Sequence, residues 1–198
     1  MSFVDAIFDR DNDFIKVVER INGKREFREY PVKHTFYYAD PRGKHRSIYD
    51  TPVSKVVCKS TKDFRKEMSI NSNKQLFEAD MNPVFVCLSE HYQNQDSPKL
   101  NVAWFDIEVD FDPERGYAAP DDAFMPITAI AVHLQWLDTL VCLAIPPKTL
   151  TMEQALEQVK EFPNTHLFTT ESELLDAFLD LIADADVLSG WNSEGFDI

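Results

Sequence analysis

Two carboxylates, Asp106 and Glu108, stand two positions apart inside the run NVAWFDIEV, Asn101 to Val109. Val102, Phe105, Ile107 and Val109 favour strands, and a polar, proline-containing stretch from Gln93 to Pro98 precedes them. The pattern predicts a buried strand. Side chains alternate along a strand, so both acids face one way. Like charges buried side by side are costly unless something cancels them. A divalent cation does so, because hard cations take oxygen ligands. The pair therefore reads as the core of a metal–carboxylate site. The bland alternative is an incidental acid-x-acid triplet. Asp110/Asp112, Glu171/Glu173 and Asp184/Asp186 share that spacing, but in loop-like or helical sequence.

Elements on either side must position such a pair. The 198-residue chain is long enough for one large domain or two small ones, and 44% hydrophobic residues are ample for a core. Its net charge of −14 is unevenly spread. Residues 1–100 carry 17 basic and 15 acidic side chains, a net of +2; residues 101–198 carry 3 and 19, a net of −16. The break falls where the carboxylate strand begins, which sets a domain boundary there. Cys58, Cys87 and Cys142 lie far apart without zinc-like spacing, and an odd number argues against a disulfide framework. A reducing, cytoplasmic setting fits them. The N-terminus lacks the apolar core of a signal peptide, and no run is long enough to span a membrane.

In the first half, Asp13–Arg20 and Lys24–Val32 read as strands joined by Asn22-Gly23, the strongest short hairpin signal. Thr35–Ala39 and His45–Tyr49 flank a turn at Asp40–Gly43. Pro52–Lys59 is a further strand, Ser60 and Asp63 open a short helix to about Met68, and Val84–Ser89 after Pro83 reads as a strand. The expected result is a β-rich α+β domain. Between Lys24 and Lys66, 12 basic and 5 acidic residues interleave with Phe27, Tyr30, Phe36, Tyr37, Tyr38, Tyr49 and Phe64. Such a mixture suits single-stranded nucleic acid, and equally a core with a solvated charged face.

In the second half, Ile127–Leu134 and Thr139–Ile145 predict an antiparallel meander with the carboxylate strand. A helix over Thr151–Phe162, a short strand at His166–Thr169 and an amphipathic helix over Glu171–Ala185 follow, the last opened by a Thr170/Glu173 capping box. Asp186–Trp191, DVLSGW, reads as a strand parallel to the first. This is the order of an α/β, ribonuclease-H-like fold. In open α/β sheets ligands gather at strand ends near the switch in strand order, which brings Asn192–Asp197 towards Asp106 and Glu108.

FDIE at Phe105–Glu108 resembles the first exonuclease motif of family B DNA polymerases. GWNSEGFD at Gly190–Asp197 resembles the second, Asn-x-x-x-Phe-Asp. ERINGKREFREYPVKHTFYY, HRSIYD and a segment ending in LSEHY are similar to the N-terminal domain of the T-even-like phage enzymes. The resemblance implies a β-rich N-terminal domain at 1–100 and part of a 3′–5′ exonuclease domain at 101–198. It implies Asp106, Glu108 and Asp197 as catalytic ligands of two Mg²⁺ or Mn²⁺ ions. Asn192 and Phe196 would hold the terminal nucleotide, Phe196 being equally suited to the core. The implied partners are a single-stranded DNA 3′ end, primer–template DNA and the remaining polymerase domains, in cis or in trans. RNA is a further candidate for the N-terminal domain. The family's third motif, Tyr-x-x-x-Asp, is expected on a helix well downstream of Ile198; Tyr117 and Asp121 have its spacing by chance, in a Pro/Gly loop. The 198 residues alone are therefore expected to be weakly active or inactive. The alternatives are a non-catalytic single-stranded DNA or RNA binding module and a split polymerase subunit.

Overall fold

The computed structural model describes residues 2–119 and 121–190. The chain divides into two compact units, Met1–Lys99 and Leu100–Ile198, and both mix strands with helices.

In the first unit, β1 (Phe3–Asp9), β2 (Phe14–Ile21) and β3 (Lys24–Pro31) form an antiparallel sheet in that order. Asn22 and Gly23 join β2 to β3 with φ of 52° and 79°, the positive values a two-residue hairpin demands. β1 is an addition to the predicted strands. Val4, Ala6 and Phe8 are the more buried side, while Phe3 and Ile7 stay exposed. Apolar residues thus fall on both faces and mask the alternation.

The next elements are β4 (His34–Ala39), β5 (His45–Arg46), β6 (Pro52–Cys58), α1 (Thr61–Ile70) and β7 (Leu76–Phe77). The four strands form a second sheet in the order β5-β6-β4-β7. The turn at Asp40–Gly43 closes with a 2.8 Å bond from Gly43 N to Asp40 O, yet β4 and β5 both pair with β6 rather than with each other. α1 opens as expected, with the Ser60 hydroxyl accepting from Asp63 N.

Val84–Ser89, expected as a strand, lies inside helix α2 (Pro83–Tyr92). Two local features decide this. Pro83 sits in the first turn, where a missing N–H leaves nothing unsatisfied, and the Asn82 side chain accepts from Val84 N. Helical spacing then turns Val84 and Cys87 into a core shared with Ile15 and Val17 of β2. Beside it, Glu19 is only 2% exposed. The Tyr92 hydroxyl donates to one of its oxygens at 2.6 Å and Arg28 Nε to the other at 3.0 Å. Burial alone would raise the Glu19 pKa, but these bonds hold it below the ordinary carboxylate range. The same burial and the bond to Glu19 push the Tyr92 phenol far up.

The second unit is built on β8 (Val102–Val109). After it come the small hairpin β9 (Phe111–Asp112) and β10 (Gly116–Tyr117), then β11 (Ile127–Leu134), β12 (Thr139–Ala144), α3 (Met152–Gln158), β13 (Thr165–Leu167), α4 (Glu171–Ile182) and β14 (Val187–Ser189). One five-stranded sheet runs β13-β12-β11-β8-β14. β8, β11 and β12 are the antiparallel meander, and β14 lies parallel to β8, both as predicted. α4 carries the expected Thr170/Glu173 capping box; α3 has one of its own, Thr151 with Gln154, and stops at Gln158 rather than near Phe162. The Glu173 carboxyl is held below its usual range, first by the Thr169 hydroxyl. Leu174 and Phe178 of α4 pack on Ala103, Phe105, Ile130, Val132 and Leu143 of the sheet. No helix among the described residues is long and apolar enough to cross a membrane.

Candidate metal–carboxylate site

β8 divides its side chains between two environments. Ala103 and Phe105 are buried on the side facing α4, with the Phe105 and Phe178 rings 5.4 Å apart. Trp104, Asp106 and Glu108 project from the other side and are exposed. The two acids do share a face, but the expectation that they are buried is corrected. α4 covers one face of the sheet only, so apolar neighbours in sequence do not enclose the alternate positions.

The acidic face is open because of what lies across from it. In the antiparallel pairing with β11, Asp106 stands opposite Ala131 and Glu108 opposite Ala129. These methyl groups leave the space beside both carboxylates clear. A strand rise of about 3.3–3.4 Å per residue sets the two Cα atoms roughly 6.7 Å apart, close enough for both side chains to reach one cation cluster. Neither carboxylate makes a hydrogen bond or ion pair among the described residues. His133, opposite Trp104 on the same face, is instead placed 3.6 Å from Asp138.

The far side of β8 is set by an anchor that the sequence reading passed over. Asn101 is 7% exposed. Its amide donates to the Asp184 backbone oxygen at 3.1 Å and to the Asp184 carboxylate at 2.9 Å, while its backbone N–H donates to the Asp186 carboxylate at 2.8 Å. Asp186 N and Val187 N in turn donate to Asn101 O at 2.7 and 3.2 Å. The Asp184/Asp186 triplet thus has a positioning role. It fixes the parallel register Val187↔Val102, Leu188↔Ala103, Ser189↔Trp104, so β14 runs in the direction of Asp106. Asn192, Phe196 and Asp197, the other expected site residues, lie outside the described residues.

The acidic loop after β8 is occupied with its own structure. Asp112 accepts from Arg115 N at 2.9 Å and Glu114 N at 2.8 Å, bonds that lower its pKa. Arg115 pairs with Asp122 at 2.6 Å and lies over the Phe124 ring at 3.6 Å. Tyr117 is in β10 and Asp121 in the loop beyond it, so that pair is not on a helix. Among the described residues no three His, Cys, Asp or Glu side chains gather as a metal centre requires. All three cysteines are free, and burial raises each thiol's pKa.

The basic and aromatic stretch of the first unit splits between both of its readings. Phe36 is fully buried, Phe64 stacks on buried His34 at 4.6 Å, and Tyr30 meets Tyr92. Lys55 and Lys74 lie over Tyr37 and Tyr38 at 5.7 and 3.8 Å, whereas Phe27 and Tyr49 are 76% and 75% exposed.

DNA polymerase family B, exonuclease domain, is the family that matches, over residues 51–198. The chain belongs to that family. The exonuclease-domain match takes in the whole five-stranded sheet with Asp106 and Glu108, and begins within the first unit at β6. It identifies a nuclease-type enzyme with DNA as its substrate. No curated protein matches the chain. Exonuclease domains of this family generally use divalent metals. Asp106 and Glu108 fit that requirement as two hard, anionic donors on one face with no competing cation among the described residues.

Proposed function

We propose that the second unit is a ribonuclease-H-like 3′–5′ exonuclease site of a replicative family B DNA polymerase, with Asp106, Glu108 and Asp197 as its carboxylate ligands. The observation that carries it is the open face on which β8 sets two unpaired carboxylates opposite alanines, with β14 leading towards them. The strand order β13-β12-β11-β8-β14, antiparallel then parallel about β8, supports the fold assignment.

Asp106 and Glu108 would hold Mg²⁺ or Mn²⁺ through their oxygens. Two such ions supply an activated water and charge stabilisation for in-line hydrolysis of a phosphodiester. Ionised carboxylates are acceptors only, so without cations they repel the strand they act on. Binding of a 3′ end is therefore itself cation-dependent. Trp104, 49% exposed and two positions before Asp106 on the same face of β8, offers an aromatic surface to the terminal base. Asn192 and Phe196 would complete that contact. The product is a nucleoside monophosphate.

On this reading the first unit is the polymerase's N-terminal domain, as in T-even-like phage enzymes, and the polymerase domains act in cis or in trans, in the cytoplasm. A second reading, a binding module for single-stranded DNA or RNA, draws on the exposed Phe27 and Tyr49 beside the basic stretch. A polymerase assembled with this chain separates the two. Asp106→Asn with Glu108→Gln should cut 3′-end hydrolysis of single-stranded DNA by at least a thousandfold while strand binding through the first unit persists. Hydrolysis within tenfold of the unmodified protein would refute the exonuclease assignment.

A further inference from the structure

We propose that the first unit holds a nucleotide-phosphate site between the end of β1 and the first turn of α1, formed by Arg10, Lys62 and Arg65. This inference stands apart from the exonuclease assignment, since none of its residues belongs to the second unit.

Arg10 follows β1 directly, and Lys62 and Arg65 are one helical turn apart on α1. With Asp11, Asp13 and Thr61 they line a cleft of about 590 Å³. All three cations are exposed, and none makes an ion pair or hydrogen bond among the described residues. That contrasts with Lys16, Arg28 and Lys33 of the same unit, which sit 2.7, 3.0 and 2.6 Å from Asp9, Glu19 and Glu90. Asp13 is the half-buried acid of the cleft, and its charge is already committed. Its carboxylate accepts from the Thr61 backbone N at 3.0 Å and from the Thr61 hydroxyl. Those bonds keep its pKa below the ordinary range. Within this cleft three cations therefore face one uncommitted acid, Asp11, and a second acid, Asp80, lines the adjoining cavity that Arg10 and Arg65 also border.

Arg10, Thr61 and Arg65 also border a second cavity of about 630 Å³, lined further by Phe64, Met81 and Asn82. Phe64 is held in place by its stack on His34, at 4.6 Å and 19°. A cationic cleft that shares a wall with an aromatic and amide-bearing one matches the two halves of a nucleotide. Guanidinium groups bind phosphate through paired N–H donors, and a base needs an aromatic wall and an amide for its edge. The phosphate would lie among Arg10, Lys62 and Arg65, and the base beside Phe64 and Asn82.

The test titrates the full 198-residue chain, in EDTA, with thymidine 5′-monophosphate and with a short fluorescent oligo(dT). Arg10→Gln with Arg65→Gln should weaken binding about tenfold or more, and reduce the salt dependence of strand binding by about two phosphate contacts. Asp11→Asn should strengthen it, a gain that damage to the fold would not produce. Removing two cations elsewhere in the unit, Lys24→Gln with Arg42→Gln, should change binding by less than about threefold. Loss for both ligands means that the site accepts a free nucleotide. Loss for the strand alone means that it takes phosphodiesters of a strand. The proposal is overturned if neither ligand binds, if the Arg10/Arg65 variant binds both as before, or if the Lys24/Arg42 variant loses as much. The fold-loss caused by Arg10→Gln with Arg65→Gln should be the same when Asp106→Asn and Glu108→Gln are also present, so failure here leaves the carboxylate site standing.

Discussion

Asn101→Ala should loosen the joint between β14 and β8 without dismantling the sheet. The side chain is buried and makes two bonds, a neutral one to the Asp184 backbone oxygen at 3.1 Å and a charge-assisted one to its carboxylate at 2.9 Å. Bonds of these kinds contribute about 0.5–1.5 and about 1.5–3 kcal/mol. Asp184 is exposed, so water replaces the lost donor at its carboxylate, and the lower end applies. The expected loss is about 2 kcal/mol. For a unit of about a hundred residues, each kcal/mol moves Tm by roughly 4–8 °C, so the melting point should fall by about 8–16 °C. The bonds from Asp186 N and Val187 N to Asn101 O do not use the side chain, so β14 stays paired but opens sooner. Asn101→Asp should be worse than alanine, because it sets a third carboxylate beside Asp184 and Asp186. All three tryptophans lie in the second unit, so their fluorescence during urea unfolding reports on it directly. Hydrogen exchange at Val187–Ser189 reports on the joint itself. A loss under about 0.5 kcal/mol, or an aspartate variant as stable as the alanine one, would refute the anchoring role.

Tyr92→Phe removes a buried bond to a carboxylate and should cost the first unit about 1.5–3 kcal/mol in urea unfolding. The same network predicts a stability plateau with two edges. The depressed Glu19 pKa gives stabilisation that is complete above its unfolded value near 4.5 and is lost as pH falls through the folded one. The raised Tyr92 pKa gives stabilisation that is complete below 10.0 and is lost as pH rises beyond it. A pH series on Tyr92→Phe should show that this residue's alkaline contribution has gone. Asn82→Ala should cost about 1 kcal/mol through loss of the α2 cap, and far-UV circular dichroism should show reduced helix; no change would refute the capping account of that segment.

Much of the scaffold was legible because the signals were local. Asn22-Gly23 demands positive φ, Ser60/Asp63 and Thr170/Glu173 cap helices by their own side chains, and strand alternation puts Asp106 and Glu108 on one face. What failed needed tertiary knowledge. The apolar run VFVC at Val84–Cys87 has no helical stripe of its own; Asn82 and Pro83 start a helix that the first sheet then packs against. β1 carries apolar residues on both sides. The exposure of the two carboxylates depends on which face α4 covers, and that is set by packing far along the chain. Asp184 and Asp186 resembled a chance triplet until Asn101 was seen between them.

The central claim is that Asp106 and Glu108 hold divalent cations on the open face of β8, and Mn²⁺ titration followed by electron paramagnetic resonance tests it most directly. The unmodified chain should bind Mn²⁺, and Asp106→Asn with Glu108→Gln should weaken that binding at least tenfold while the unfolding midpoint in EDTA stays the same. Mn²⁺ binding that is absent from the unmodified chain, or equal in the two proteins, would contradict it.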